Sequence, residues 1–236
     1  MGREFSILYK YLMNLRSRYF RALSAFYVYE RIRELGAPNI VGKKEASENI
    51  KVMNHFKNFF TIARESIRIY FLLELAKLFD DAQQSLHINK IISFSESNIK
   101  KLSRSEFLRF HQGQKREFLQ ELFKSYQELS SKDLKIVRSD LKKYEKIIKK
   151  IDNYRDQYLA HDDKQKTKIN INRIEIIKLF KVLKKILTLF TLRLDFSITY
   201  YDHVEKDCKR DTERVIKYLR RFEKYRLSEI EAKYKI

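Results

Sequence analysis

Four glycines and one proline in 236 residues constrain this chain more than any other feature. Tight β-turns depend on Gly for φ > 0 and on Pro for a pre-set φ. A sheet protein would need such a turn about every ten residues, and this chain has nowhere to put them. It has instead long runs of Lys, Glu, Leu, Ile and Arg, with apolar residues returning every three or four positions. That period belongs to helices with one face in a core. The expectation is an all-α fold, a bundle of about five to six long helices.

A first helix should run from about Glu4 to Leu35 on a stripe that includes Ile7, Leu8, Leu12, Leu15, Tyr19, Leu23, Phe26 and Ile32. Gly36, with Pro38 just beyond, is a stop signal. The polar stretch "NIVGKKEASEN" reads as a loop, followed by a helix from about Ser47 to Phe79 with Phe56, Phe60, Ala63, Ile67, Tyr70, Leu73 and Ala76 on one face. One brief helix is expected within "DDAQQSLHINKIISFSESNIKKL". Further helices should cover Ser105 to Leu129 (loosened at Gly113), Ser131 into "NYRDQYLAH", Ile174 to Tyr200, and Asp211 to about Lys233. Neither a repeat nor a low-complexity linker interrupts them. Residues 1–236 therefore read as one helical domain.

The chain carries 51 Lys and Arg against 31 Asp and Glu, a formal charge of +20. Such a surplus attracts phosphate-bearing polymers or anionic lipid. A biased Lys-rich composition without any ligand is the bland alternative. Cys208 is the only cysteine, so an internal disulfide and a paired-Cys zinc site are both excluded. No metal site is expected: His55 and His87 lack a second ligand at suitable spacing, and His203 has only Asp207 one turn on. The four scattered glycines make no phosphate loop. Charges interrupt "MGREFSILYKYLMNLRSRYF" too often for a signal peptide, and "IRIYFLLELAKLF" is too short for a membrane span. The expected setting is the cytoplasm, without a membrane. The C-terminal "RVIKYLRRFEKYR" has the pattern of a basic amphipathic helix, but its apolar side equally suits bundle packing.

The stretch "KKIDNYRDQYLAHDDK" concentrates the chemistry. On a helix, Tyr144, Ile147, Ile151, Tyr154, Tyr158 and His161 form a narrow seam. Arg155 and His161 are six residues apart, so they differ by about 120° around the axis and roughly 9 Å along it. One straight helix does not bring both onto one phosphate. They meet if the helix ends or bends near Ala160, or if a second copy packs along the seam. A helix end with a dipole-favoured histidine is the other reading. Spacing alone leaves both open, because Arg104 and His111 in "RSEFLRFH" satisfy a similarly loose pattern.

The wording of "RDQYLAH" goes further: an Arg, a polar residue, variable positions and a final His resemble the signature of the HEPN superfamily (higher eukaryotes and prokaryotes nucleotide-binding domain). "LAKLFDDAQQSLHINKII" and "TLRLDFSITYYDHVEKD" resemble its abortive-infection U branch, over roughly Ala46 to Val215. The resemblance implies a HEPN-like bundle with N- and C-terminal helical extensions, a homodimer with motifs facing across a groove, and metal-independent RNA cleavage in toxin–antitoxin or phage-defence systems. It also implies an antitoxin or defence partner. Some relatives place a tyrosine two residues after the histidine for silencing by modification; here that residue is Asp163.

Metal-free RNA cleavage drives a ribose 2′-hydroxyl onto the adjacent phosphorus. It needs a group that moves protons near neutral pH, for which His161 is the candidate. It also needs a fixed cation against the phosphate, for which Arg155 is the candidate. Asp156 would orient one of the two. Lys149, Lys150 and Lys164 would hold the RNA backbone, and Tyr158 would stack on a base or pack in the interior. No cofactor is implied. The rival readings are a non-catalytic RNA-binding or scaffold bundle and a nuclease active only with a partner.

Overall fold

A computed structural model describes residues 3–80, 82, 84–112, 119–159, 170–197 and 199–234. Its α-helices are α1 (Arg3–Leu35), α2 (Pro38–Val41), α3 (Lys43–His55), α4 (Lys57–Phe79), α5 (Ile88–Ser97), α6 (Arg104–Gln112), α7 (Leu119–Ser125), α8 (Ser131–Lys142), α9 (Glu145–Leu159), α10 (Arg173–Leu194) and α11 (Asp202–Tyr234). A 3-10 turn at Ile99–Lys101 follows α5, and no strand occurs among the described residues. The fold is all-α, as the scarcity of turn residues requires. By their internal contacts the residues divide into two units, Met1–Phe20 with Leu72–Tyr200 and Arg21–Phe71 with Tyr201–Ile236.

In the first unit, the stripe of α1 supplies Phe5, Leu8, Leu12, Leu15 and Tyr19, all buried. α10 supplies a matching stripe: Leu179, Leu183, Ile186, Leu187, Phe190 and Leu194 recur on one face and are sealed from water. Burying each such side chain contributes about 1.5–3 kcal/mol. Both α8 and α10 begin with capping boxes, Ser130 with Asp133 and Asn172 with Glu175, which satisfy otherwise orphaned amide N–H groups. Tyr126 stacks on Phe107 with ring centroids 3.9 Å apart and donates to the Arg193 carbonyl at 2.7 Å. Burial pushes that phenol well above its usual range.

In the second unit, Leu35, Phe60 and Ile216 form a small core extended by Val41, Met53, Phe56 and Leu219. Phe26 meets Phe71 edge-on at 5.5 Å. Arg31 ties α1 to α11 through Glu213 at 2.7 Å, and Arg220 ties α11 to α3 through Glu48 and the Asn49 side-chain oxygen.

Several boundaries differ from the sequence reading. "NIVGKKEASEN" is not a loop: Pro38 opens α2 and Gly42, at φ 89°, opens α3. The helix expected over 47–79 breaks at Phe56 (φ −104°, ψ 38°), and Tyr70 on its predicted stripe is exposed while Phe71, Leu72 and Leu75 are buried. The expected 105–129 helix has ended by Ser125. The helix from Ser131 breaks at Lys143–Tyr144, with no Gly or Pro to announce it. α10 stops at Leu194 rather than Tyr200, because Phe196 takes a left-handed φ of 46° that a helix cannot contain. The last helix starts at Asp202, nine residues before the expected Asp211. No described helix is long and apolar enough to cross a membrane.

Candidate active site

α9 restarts after the Lys143–Tyr144 turn, where the amides of Ile147 and Ile148 both donate to the Tyr144 carbonyl at 2.9 Å. Ile151 and Tyr154 of its seam are buried within this one chain. That part of the seam is therefore closed by the protein itself, and a second copy would have to approach by other residues. Arg155 lies one residue on, about 100° round the helix. Its side chain is 19% exposed.

Two carboxylates hold the Arg155 guanidinium. Asp156, its neighbour, accepts from Nε at 2.9 Å and from Nη2 at 2.8 Å on a single oxygen. Asp80, 75 positions earlier, pairs with Nη1 at 2.8 Å. Asp80 is the first residue after α4, with its amide donating to the Ala76 carbonyl at 3.0 Å and its carboxylate accepting from the Ala82 amide at 3.1 Å. The described residues beyond it are pinned. Ser85 donates twice to the Ala82 carbonyl, Arg18 donates to the Leu86 carbonyl at 3.2 Å, and His87 caps α5 by accepting from the Lys90 amide at 3.2 Å.

Partial burial alone would raise the Asp80 pKa, but the Ala82 amide and the Arg155 guanidinium together hold it below the usual carboxylate value. The same burial opposes the Arg155 charge, and its bonds to Asp156 and Asp80 outweigh that and raise its pKa further. Arg155 is a fixed cation. A guanidinium has five N–H donors, and three point at Asp156 and Asp80. No further acceptor for this guanidinium lies among the described residues, so its remaining donors are open to a phosphate.

The lysines behave differently from one another. Lys149 is widely exposed and pairs with Glu145, at 3.4 Å on the same helix face. Lys150 is engaged by Glu175, the acid of the α10 capping box, and so fastens α9 to the start of α10. That lysine, together with the Asn172 amide, overcomes burial to keep the Glu175 pKa low. His161 and Lys164 lie outside the described residues, and so does the side chain of Tyr158.

Asp80 is the residue that sequence reasoning missed. It stands in "LAKLFDD", a stretch whose wording already pointed to the same family, yet nothing local links it to Arg155. The other Arg–His pair separates cleanly. His111 is fully buried, its Nε2 3.0 Å from the Leu194 carbonyl, among Phe107, Phe110 and Tyr9. Arg104 lies over the Phe123 ring and donates to the Phe123 carbonyl. His111 belongs to the interior, and Arg104 is an exposed residue fastened to α7.

A family model described as HEPN_AbiU2: AbiU2 matches residues 7–215. The match begins well before the Ala46 expected from the wording and takes in most of α1. No curated protein and no solved structure matches the chain.

Proposed function

Because this chain belongs to the AbiU2 family of HEPN domains, we propose that it is a metal-independent RNA endonuclease of an abortive-infection or toxin system. The observation that carries the reading is the bracing of Arg155 by Asp80 and Asp156, with its remaining donors open to a phosphate. A pre-oriented cation acts on the charge developing at phosphorus without reorganising during the reaction.

In the proposed reaction the ribose 2′-oxygen bonds to the neighbouring phosphorus while the bond from phosphorus to the 5′-oxygen breaks. The proton of the 2′-hydroxyl leaves, and another is delivered to the departing 5′-oxygen. The products are a 2′,3′-cyclic phosphate and a 5′-hydroxyl. His161 moves protons, and Arg155 binds the non-bridging oxygens. Asp156 and Asp80 act through Arg155 as positioning residues. Two proton transfers on opposite sides of phosphorus favour a site assembled from two copies, each giving one histidine. Exposed Lys149, together with Lys164, contacts the RNA backbone.

The test is cleavage of a structured RNA in excess chelator by the intact protein, His161→Ala and Arg155→Ala. Cyclic phosphate ends made only by the intact protein support the proposal. Binding of RNA with no cleavage by any of the three would replace it with a scaffold, and activity restored only by a cellular partner would make it a gated enzyme.

A further inference from the structure

Between Thr212 and Arg226, α11 presents three distinct faces. One is buried, through Thr212, Ile216 and the partly covered Leu219. A second carries rings: Tyr218 is 61% exposed, Phe222 57% and Tyr225 62%. At about 100° per residue, these three fall within roughly 60° of one another. The third carries Lys217, Arg221 and Lys224, also within about 60°, adjoining the rings.

These three cations have no carboxylate in ion-pair reach among the described residues, whereas Lys209, Arg210, Arg214, Arg220 and Arg226 of the same helix are all paired. They line a groove of about 810 Å³ between α11 and the start of α3, where Lys43 and Lys44 join them. Of the groove's three acids, Glu48 is held by Arg220 and Glu213 by Arg31, which leaves Glu45 against Lys43, Lys44, Lys217, Arg221 and Lys224. The groove is therefore strongly cationic beside an exposed aromatic row.

We propose that this face of α11 is a single-stranded RNA track, with phosphates along Lys217, Arg221 and Lys224 and bases stacked on Tyr218, Phe222 and Tyr225. A cationic groove that follows a backbone, beside rings that stack bases without reading sequence, is how proteins hold single strands. Along the axis the cations step by about 6 and 4.5 Å, a spacing that successive phosphates can follow. A second copy seated on the cationic face would bring Lys217, Arg221 and Lys224 against like charges, which repel. A bilayer is flat, and these cations open into a concavity. The track is a binding element of its own and does not require that the α9 motif be catalytic.

The test uses the full chain and a fluorescent 2′-O-methyl oligouridine, which lacks the attacking hydroxyl and stays intact. Anisotropy titrations across a salt series should show a lower salt slope, by about 2, for Lys217→Ala/Arg221→Ala/Lys224→Ala, because each neutralised phosphate contributes about 0.7. Tyr218→Ser/Phe222→Ser/Tyr225→Ser should weaken binding tenfold or more with the slope retained. The same differences should persist in an Arg155→Ala background, so loss of catalysis and loss of the track are read separately. The single Lys224→Ala, with a slope lower by about 0.7, serves if a triple variant folds poorly. Wild-type affinity and slope in all track variants would overturn the proposal. So would variants that lose only self-association, or only adhesion to phosphatidylserine vesicles.

Discussion

Replacing Asp80 by asparagine probes the bracing of Arg155 with the least change of shape. The pair is 2.8 Å apart, with the two side chains only 19% and 18% exposed. At an effective dielectric near 20 the attraction is of order 4 kcal/mol. Partial desolvation of both groups offsets most of it. A hydrogen bond to a charged partner nets about 1.5–3 kcal/mol, and the amide oxygen of the substituted side chain would retain a weaker one. The expected cost of Asp80→Asn is about 1–2 kcal/mol, a fall in melting temperature of roughly 2–8 °C for a chain of this size. The effect has a pH signature. The folded pKa of Asp80 lies below its ordinary value of 3.8, so the folded state binds fewer protons than the unfolded one as that range is crossed. Its contribution is fully present above about pH 5 and is lost as pH falls through the folded pKa. Urea midpoints of wild type and variant should therefore differ by a constant amount from pH 5 to 8 and converge in acid. Turnover of RNA should also fall by about ten- to a hundredfold at temperatures where the variant is folded, since Arg155 loses one of its two anchors. Equal midpoints at pH 7, or a gap as wide in acid as at neutrality, would refute the reasoning.

Arg155→Lys should fold but cleave at least about a hundredfold more slowly, because an ammonium cannot hold Asp80, Asp156 and two phosphate oxygens at once; single-turnover kinetics check it. His111→Ala should cost about 2–4 kcal/mol through a cavity among Phe107, Phe110 and Tyr9, seen in urea unfolding, while cleavage per folded molecule stays unchanged. Asn172→Ala should lower stability by about 1 kcal/mol through the lost α10 cap, measured the same way. Lys150→Ala removes a half-exposed pair with Glu175 and should cost less than about 1 kcal/mol, with the salt slope of RNA binding unaltered.

By itself, the sequence determined the helical class, because a chain with four glycines and one proline cannot supply the turns of a sheet. It determined the length of α1 from one apolar stripe and the Gly36 stop, and it marked Arg155 and Asp156 within a motif whose family match now spans residues 7–215. Those signals are local or periodic, and local chemistry carries them. Helix breaks at Phe56 and Lys143 had no such signal, since both residues are tolerated inside a helix and the chain there turns without a breaker residue. The role of His111 followed only from packing: its spacing from Arg104 resembles the motif, but the core surrounds it. Asp80 is the clearest case. A carboxylate after a helix end reads as a solvated surface group, and only the fold carries it across 75 positions to Arg155. Pairing between distant residues is a property of how helices pack, and no periodicity along the chain encodes it.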